Sequence, residues 1–363
     1  MKRSGMTNLP LHYGKAPAWL FGRMTMLARE MIILIVEEFG QAEFLKKISD
    51  PFWFQSFGCV LGFDWHSSGV TTTVCGAIKE GLKGIENNLG IFVAGGKGAT
   101  SRKTPDEIIS KGNFLSKDPE KLVYSSKIVA KVDNTAIQDG FQLYHHNFIF
   151  TKDGEWAVIQ QGMNETSRYA RRYHWTSLNL SSFIEEPHTA ICCDMKQQSI
   201  INMVAKESKD ARETATIISR ENPDKIIKEV NKMQSLTLPK HHYVDINDIN
   251  PKRFYQILLK TYEEKPDDFE KLLAMKGVGP KTIRSLVLIS DLIYGKKPSF
   301  TDPVRYSFAH GGKDGFPYPV NRKVYDESIM ILKRAVEKIK VDRSEKVKAL
   351  NRLYKFYIET KKE

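Results

Sequence analysis

The segment "FQLYHHNFIFTKDGEWAVIQQGM", from Phe141 to Met163, indicates how the first half of the chain folds. Apolar and polar residues alternate on both sides of Lys152-Asp153-Gly154, and Asp-Gly is typical of a tight turn between two strands. The segment therefore predicts a β-hairpin. Successive side chains of a strand point to opposite faces, so His145 and His146 are expected to belong to different sites.

The residues before and after this hairpin indicate a mixture of helices and strands. The region 17–39 is apolar but interrupted by charges, which predicts an amphipathic helix. Ile91 to Ala94 is a candidate buried strand, and Thr104-Pro105 is typical of a helix start with Thr104 as the N-cap. The run "HTAICCDM", residues 188–195, predicts a last strand. We therefore expect an α+β or α/β fold for the first half.

The second half has a different pattern, because apolar residues recur at helical spacing from about Ser199 onwards. A chain of 363 residues is too long for one small core, so two domains are expected. We place a mixed α/β domain in residues 1–197 and an all-α domain in residues 198–363.

The balance of charges favours a polyanionic partner. Lys and Arg number 55 against 43 Asp and Glu, which gives a net charge of +12. Basic residues release counterions from phosphates when they bind, so DNA is the expected partner. The alternative is the lysine-rich surface of a thermally adapted protein. Protein partners are unknown from the sequence.

The cysteines and the apolar segments limit the class of protein further. Cys59, Cys75, Cys192 and Cys193 form no CxxC pair, which favours buried reduced thiols over a zinc or iron–sulfur site. The apolar stretch from Trp19 to Phe39 contains several charged residues, so it is not expected to span a membrane. No secretory signal is visible, and we expect a cytoplasmic protein.

The segment "MKGVGPKTI", from Met275 to Ile283, predicts two helices joined by a tight turn. Pro280 is typical of a first helical position, and the two glycines permit backbone conformations that other residues avoid. Such a helix-hairpin-helix directs backbone N–H groups of the turn towards a phosphate. The expected DNA contacts are Gly277, Val278, Gly279 and Thr282.

The longer segment "LLAMKGVGPKTIRSLVLISDLIYGKKPSFTDPVR" resembles the core of the endonuclease III-like DNA glycosylases, the helix-hairpin-helix/Gly-Pro-Asp class. The resemblance implies that Lys281 is a Schiff-base nucleophile, that Asp302 assists it, and that no metal cofactor is needed. It is confined to the C-terminal part of the chain. The family's iron–sulfur cysteines are absent, and an unusual aromatic, glycine-rich segment, residues 305–322, follows Asp302. Over its full length the chain resembles a prokaryotic family of unknown function.

Polar clusters in the first half provide an alternative site. A metal-dependent nuclease would hold Mg²⁺ or Mn²⁺ between carboxylates and histidines, and the helix-hairpin-helix would only anchor DNA. The candidates for this alternative site are Asp64, His66, Asp139, His145 and His146. The spacing of these residues is not diagnostic of a metal site.

Two basic segments could contact a nucleic acid. The loop "GGKGATSRKT" follows a predicted strand and precedes a predicted helix, an arrangement that suits a phosphate although Walker spacing is absent. Its candidates are Lys97, Ser101, Arg102 and Lys103. The run "RYARRYHW" interleaves arginines with aromatic residues, which suits single strands or flipped bases and offers Arg171 and Arg172. The sequence thus favours a DNA repair enzyme of the glycosylase/lyase type, with a nuclease or a non-enzymatic DNA-binding module as alternatives.

Overall fold

A computed structural model describes residues 16–63, 68–193, 196–233, 251–304 and 322–362. Within these ranges the helices are α1 Ala18–Phe39, α2 Gln41–Ser49, α3 Pro51–Leu61, α4 Gly69–Leu82, α5 Glu86–Leu89, α6 Thr104–Ser110, α7 Pro119–Lys131, α8 Lys209–Ser219, α9 Pro223–Met233, α10 Pro251–Glu264, α11 Phe269–Ala274, α12 Pro280–Tyr294, α13 Arg322–Lys338 and α14 Arg343–Lys362. The strands are β1 Ile91–Lys97, β2 Ile137–Gln138, β3 Gln142–Thr151, β4 Trp156–Asn164, β5 Tyr169–Thr176, β6 Ala190–Cys192 and β7 Ile201–Asn202.

Five strands form one antiparallel sheet in the order β1-β3-β4-β5-β6. The predicted hairpin is confirmed, because β3 and β4 pair on either side of the turn at Gly154, whose φ is +81°. The predicted helix near residues 17–39, the strand at Ile91 and the strand within 188–195 are confirmed as α1, β1 and β6. The strand within 188–195 is not the last one, because β7 follows it and pairs with β2. The structure therefore mixes helices with an antiparallel sheet.

The two faces of this sheet are covered by different helices. On one face Phe148, Val158 and Tyr173 contribute to a hydrophobic cluster with residues of α7, α8, α11 and α12. On the other face Ile149 and Ile159 contribute to a second cluster with residues of α1 to α4, α13 and α14. Burying a large apolar side chain stabilises the folded state by about 1.5–3 kcal/mol, so these two clusters hold the helices on the sheet.

The boundary predicted at residue 197 falls between β6 and β7, and its status as a domain boundary stays a prediction. Both hydrophobic clusters contain residues from each side of it. In addition, β7 pairs with β2, and the side chain of Arg352 in α14 donates to the carbonyl oxygen of Val60 in α3 at 2.6 and 3.0 Å. From Lys209 onwards the regular secondary structure of the described residues is helical, and a short bridge joins Ser299 to Asn202.

None of the helices in the described ranges has both the length and the apolar character that crossing a membrane requires.

Candidate functional site

The Gly-Val-Gly turn joins α11 to α12 as the sequence predicts, because α11 ends at Ala274 and α12 begins at Pro280. Gly277 has a φ of +100°, a left-handed conformation that favours glycine. Val278 is buried in the hydrophobic cluster beneath the turn. The inner side of the turn is thus fixed by packing.

The outer side of the turn is accessible and basic, since Lys276, Gly277 and Lys281 are exposed. Gly279 is the N-cap of α12 with an ordinary φ of −141°. A Cβ atom added to Gly279 would meet no described atom within 4 Å. Neither the backbone nor the packing of the described residues therefore requires glycine there, whereas close approach of a ligand would.

A cavity of about 170 Å³ lies beside this turn, lined by residues of α10 and α12 that include Arg253, Ile257, Lys281 and the buried Thr282. The first N–H groups of a helix have no acceptor within the helix, and they lie at the positive end of its dipole. An anion is the ligand that such a position favours.

Polar side chains from the sheet side hold the hairpin in place. The amine of Lys131 donates to the carbonyl oxygens of Val278 and Met275. Gln138 donates to the carbonyl oxygen of Pro280 at 2.9 Å and accepts from Arg284 at 2.7 Å. Burial lowers the pKa of Lys131. No sequence motif marks Lys131 or Gln138 as an anchor, because both lie more than a hundred residues from the hairpin in the chain.

Asp302 does not line the hairpin cavity. Its carboxylate is buried and accepts from both terminal nitrogens of Arg171, at 3.1 and 2.7 Å. It also accepts from the backbone N–H groups of Gln197 and Val304, at 2.8 and 3.0 Å. Lys281, by contrast, is exposed at the start of α12. The contacts of Asp302 therefore make it a buried partner of Arg171.

Asp139 belongs to the same buried cluster. Its carboxylate accepts from Arg171 at 2.8 Å, from the hydroxyl of Tyr173 at 2.8 Å and from the N–H of Phe141 at 3.0 Å. Burial opposes the charge of Arg171, but Asp139 and Asp302 overcome this and hold its pKa well above the usual value. The placement corrects two expectations, since neither Arg171 nor Asp139 is accessible to DNA or to a catalytic metal.

Arg172 is buried as well, on the opposite face of the sheet. Its guanidinium donates to Gln55 at 3.1 Å and to Thr71 at 3.4 Å, and it lies 4.7 Å from the centre of the Phe54 ring. Burial lowers the pKa of Arg172 to about 10. This too corrects the expectation of a DNA contact, because a fully buried guanidinium is out of reach of a phosphate.

His145 and His146 lie on opposite faces of β3, as the alternation predicts. Both ring nitrogens of His146 are hydrogen-bonded, Nε2 to the hydroxyl of Ser126 at 2.9 Å and Nδ1 to the side-chain oxygen of Gln160 at 2.6 Å. Gln160 in turn donates to the buried carboxylate of Asp133, which also accepts from Trp175 at 3.0 Å. His146 is therefore part of a closed internal network and not of an open site.

His145 belongs to a row of side chains that crosses the sheet from β1 to β6. The strand register aligns them one per strand, in the order Lys97, His145, Gln161, Arg172 and Cys192. Gln161 links the row to α4, because it donates to the carbonyl oxygen of Ser68 at 2.9 Å and accepts from the hydroxyl of Thr71. The sequence identified Lys97 and His145 separately, but only the register shows that they are neighbours.

A cavity of about 1440 Å³ opens against the Lys97 end of this row, between α1, α4 and the sheet. Tyr144, His145 and Asn147 line it from β3, where a register shift between Leu143 and His145 marks a bulge. Gln161 donates to the hydroxyl of Tyr144. The bulge brings Tyr144 and His145 to the same cavity although they are consecutive, and bulges often redirect side chains in this way near binding sites.

The glycine-rich loop after β1 forms one wall of this cavity. Gly95 has a φ of +90°, and a Cβ there would lie 2.2 Å from the carbonyl oxygen of His146, so glycine is obligatory. Lys97, Arg102 and Lys103 are exposed, and Ser101 is half-buried with its hydroxyl donating to a backbone carbonyl of the loop. The loop is thus a basic surface next to the cavity.

The start of α6 differs from the prediction in its capping. Thr104 is the first helical residue, and its hydroxyl donates to the carbonyl oxygen of Ser101 at 2.8 Å. Glu107 pairs with Lys79 at 2.6 Å and accepts from the N–H of Gly95 at 2.8 Å. The predicted N-cap is therefore wrong, because the Thr104 hydroxyl donates to the preceding turn and distant partners occupy the Glu107 carboxylate.

Asp64 and His66, two candidates for the alternative metal site, lie outside the described residues. Within the ranges that the structure covers, no three His, Cys, Asp or Glu side chains converge as a metal site would require. The four cysteines are free thiols, and three of them are buried.

Comparison with known proteins gives a family but no activity. No curated protein and no solved structure matches the chain. The resemblance of the hairpin segment to DNA glycosylases therefore stays a prediction from its motif. A family described as "Protein of unknown function (DUF763)" has a model that matches residues 5–320, and the chain belongs to this family.

Proposed function

We propose that the protein binds the DNA backbone through the turn between α11 and α12. The observation that supports this most directly is Gly279, a half-exposed helix N-cap at which a Cβ would contact no described atom. A phosphate that accepts from the first N–H groups of α12 needs the space that a larger side chain would fill.

The charges around the turn are favourable to this role. Lys252, Arg253, Lys276 and Lys281 are exposed on α10, on the turn and on the first turn of α12. Contacts of this kind orient a protein on DNA without reading its sequence. Their affinity is expected to fall steeply with salt, because binding releases counterions from the phosphates.

Backbone binding has more support than base excision by Lys281. A Schiff base requires the lysine amine to attack C1′ of the sugar, and a carboxylate nearby would stabilise the cationic sugar. The carboxylate expected for this task, Asp302, accepts four hydrogen bonds inside the protein. Glycosylase/lyase chemistry is therefore a separate proposal that needs its own test, as is metal-dependent cleavage by the first half of the chain.

Fluorescence anisotropy with a short labelled duplex, at several salt concentrations, tests the binding proposal. Gly279→Asp places a good N-cap residue on α12, so the fold is retained, but its carboxylate repels a phosphate. We expect its affinity to fall by about tenfold or more, the equivalent of one lost charge-assisted hydrogen bond. Lys281→Ala should weaken binding and reduce the salt slope by about one.

Lys296→Ala is the matched control, because it lowers the net charge by one, as Gly279→Asp and Lys281→Ala do. Lys296 lies just after the opposite end of α12. Lys296 is exposed and pairs with the exposed Asp210. Affinity for the duplex should be nearly unchanged in this variant. Equal losses for Gly279→Asp and Lys296→Ala would show that only diffuse charge attracts DNA, and the proposal would be rejected.

Borohydride trapping on DNA with one abasic site, in the presence of EDTA, tests the lyase proposal independently. A covalent adduct that is lost in Lys281→Ala would establish the Schiff-base lysine. Binding without an adduct would leave the hairpin as a DNA anchor and would rule out this chemistry. Cleavage that requires added Mg²⁺ or Mn²⁺ would point to the first half of the chain.

A further inference from the structure

The cavity between α1, α4 and the sheet is large enough for a ligand. Its volume of about 1440 Å³ exceeds the roughly 300–1,000 Å³ typical of small-molecule sites. Apolar and aromatic walls come from Phe21, Phe63 and Tyr144, and polar groups come from β1 and β3. A site that combines an apolar body with few polar contacts is typical of small-molecule binding sites.

The floor of the cavity contains polar groups that the described part of the chain leaves unsatisfied. His145 and Asn147 are two residues apart on β3, line the cavity and are each only 1% exposed. Among the described residues, neither ring nitrogen of His145 nor the amide nitrogen of Asn147 has a hydrogen-bond partner. Buried polar groups in native proteins are almost always satisfied, so a ligand is expected to supply these partners.

The chemistry of this floor favours a nucleobase over a bare anion. Burial, together with His146 and Lys97, lowers the pKa of His145 to about 3, so its ring is uncharged at neutral pH. A neutral imidazole offers one donor and one acceptor, and the Asn147 amide nitrogen offers donors. Phosphate would supply acceptors alone, whereas the edge of a base presents donors and acceptors side by side.

The rim of the cavity is charged, in contrast to its floor. Lys97 and Arg168 are exposed there, and the Lys97 amine lies 5.8 Å from the centre of the Tyr144 ring. Lys79 also lines the cavity but pairs with Glu107 at 2.6 Å, and two carboxylates, Glu80 and Glu165, contribute the opposite charge. Lys97 and Arg168 are thus placed to meet a phosphate at the surface.

We infer that this cavity binds one nucleotide. The edge of its base forms hydrogen bonds with His145 and Asn147, the ring of the base packs against Tyr144, and its phosphate lies at Lys97 and Arg168. The nucleotide is either a free mononucleotide or an unpaired nucleotide of a strand, and the chemistry of recognition is the same for both. The inference does not depend on the hairpin, which belongs to a different part of the structure.

Calorimetric titration of the full chain with the common nucleoside monophosphates tests the inference, with the corresponding nucleosides and inorganic phosphate as separate ligands. We expect at least one monophosphate to bind, its nucleoside to bind more weakly, and inorganic phosphate alone to bind much more weakly still. Titration with a short single-stranded oligonucleotide, with and without competing monophosphate, identifies the source. Tighter oligonucleotide binding that the monophosphate displaces would assign the cavity to a strand.

Two kinds of variant separate the floor from the rim. His145→Leu removes the base contacts and should weaken the nucleotide and the nucleoside alike, by about tenfold each. Lys97→Ala should weaken the nucleotide by a similar factor and leave the nucleoside unchanged. Lys152→Ala is the control for charge, since Lys152 is exposed after the opposite end of β3 and does not line the cavity.

Asn147→Leu provides a second floor variant if His145→Leu is poorly folded by circular dichroism. The inference is overturned if no monophosphate and no oligonucleotide binds at millimolar concentration, which would also be the result if the protein's own chain fills the cavity. It is equally overturned if phosphate binds as tightly as the nucleotides, or if both floor variants bind as the unmodified protein does.

Discussion

The two faces of the sheet differ in how far their buried polar side chains are hydrogen-bonded within the protein. His146 and His145 are consecutive and both buried, but His146 contacts Ser126 and Gln160, whereas His145 faces the large cavity. Burial alone therefore does not distinguish a structural histidine from a candidate ligand-binding one. The satisfaction of its ring nitrogens does, because a closed network has no bonding capacity left for a ligand.

The consecutive arginines of β5 show the same division. Arg171, on the His146 face, contacts two buried aspartates that raise its pKa against the effect of burial. Arg172, on the His145 face, contacts neutral groups of Gln55 and Thr71, and burial lowers its pKa to about 10. The first face thus stabilises the charge of Arg171 with internal carboxylates. On the second face the described contacts of Arg172 are to neutral groups, and the cavity opens at the other end of its row, beside Lys97 and His145.

The largest expected effect is that of removing Arg171. In Arg171→Met the carboxylates of Asp139 and Asp302 would remain buried without their cationic partner, and breaking a buried ion pair typically costs about 3–5 kcal/mol. We expect the free energy of unfolding, measured in urea, to fall by that amount.

Arg172→Met is the matched control on the other face. Because burial disfavours its charge, the apolar replacement should reduce stability by only about 1–2 kcal/mol, the contribution of its hydrogen bonds to neutral groups. Equal losses in the two variants would contradict the division of the faces that we infer from their contacts.

The second effect concerns acid stability. His145 has a pKa of about 3 in the folded protein, against about 6.5 in an unfolded chain. As the pH falls below 6.5, His145 becomes protonated in the unfolded chain but stays neutral in the folded protein. The free energy of unfolding therefore decreases until the pH approaches 3. At pH 4 the loss from this residue is about 3 kcal/mol.

Urea unfolding of His145→Asn at pH 7 and pH 4 measures this contribution. The variant keeps a polar group but no longer titrates, so its stability should fall less between the two pH values than that of the unmodified protein. An identical pH dependence in both proteins would mean that the imidazole is not held neutral. His146→Asn offers a comparison, since it breaks two hydrogen bonds and should already be less stable at pH 7.

Local features of the sequence were sufficient to predict the two hairpins but not the residues that pack against them. The β3–β4 hairpin follows from alternation around Asp153-Gly154, and the α11–α12 hairpin follows from helical spacing around Gly277 and Gly279. These patterns involve residues close in the chain, where periodicity and turn preference are strong signals. The same patterns contain no information on what lies opposite each face.

The candidate sites depended on contacts between distant residues, and there the sequence was less informative. Arg171 was predicted to contact DNA, but in the structure it pairs with Asp302, which is 131 positions away in the chain. The bulge at Tyr144 and the alignment of Lys97 with His145 depend on strand register, which a single sequence does not specify. Asn147 was overlooked because an asparagine in an apolar strand has no motif of its own.

The smallest expected effect compares one hydrogen bond on each face. Ser126→Ala leaves Nε2 of the buried His146 without its partner, so stability should fall by about 1–2 kcal/mol. Asn147→Leu removes an amide nitrogen that no described residue satisfies, and apolar replacement of such a group should be nearly neutral or stabilising. Urea unfolding of both variants at pH 7 gives the comparison. A loss for Asn147→Leu as large as that for Ser126→Ala would mean that Asn147 has an internal partner after all. The floor of the cavity would then be ordinary core, and the nucleotide would lose the contacts that we assign to its base.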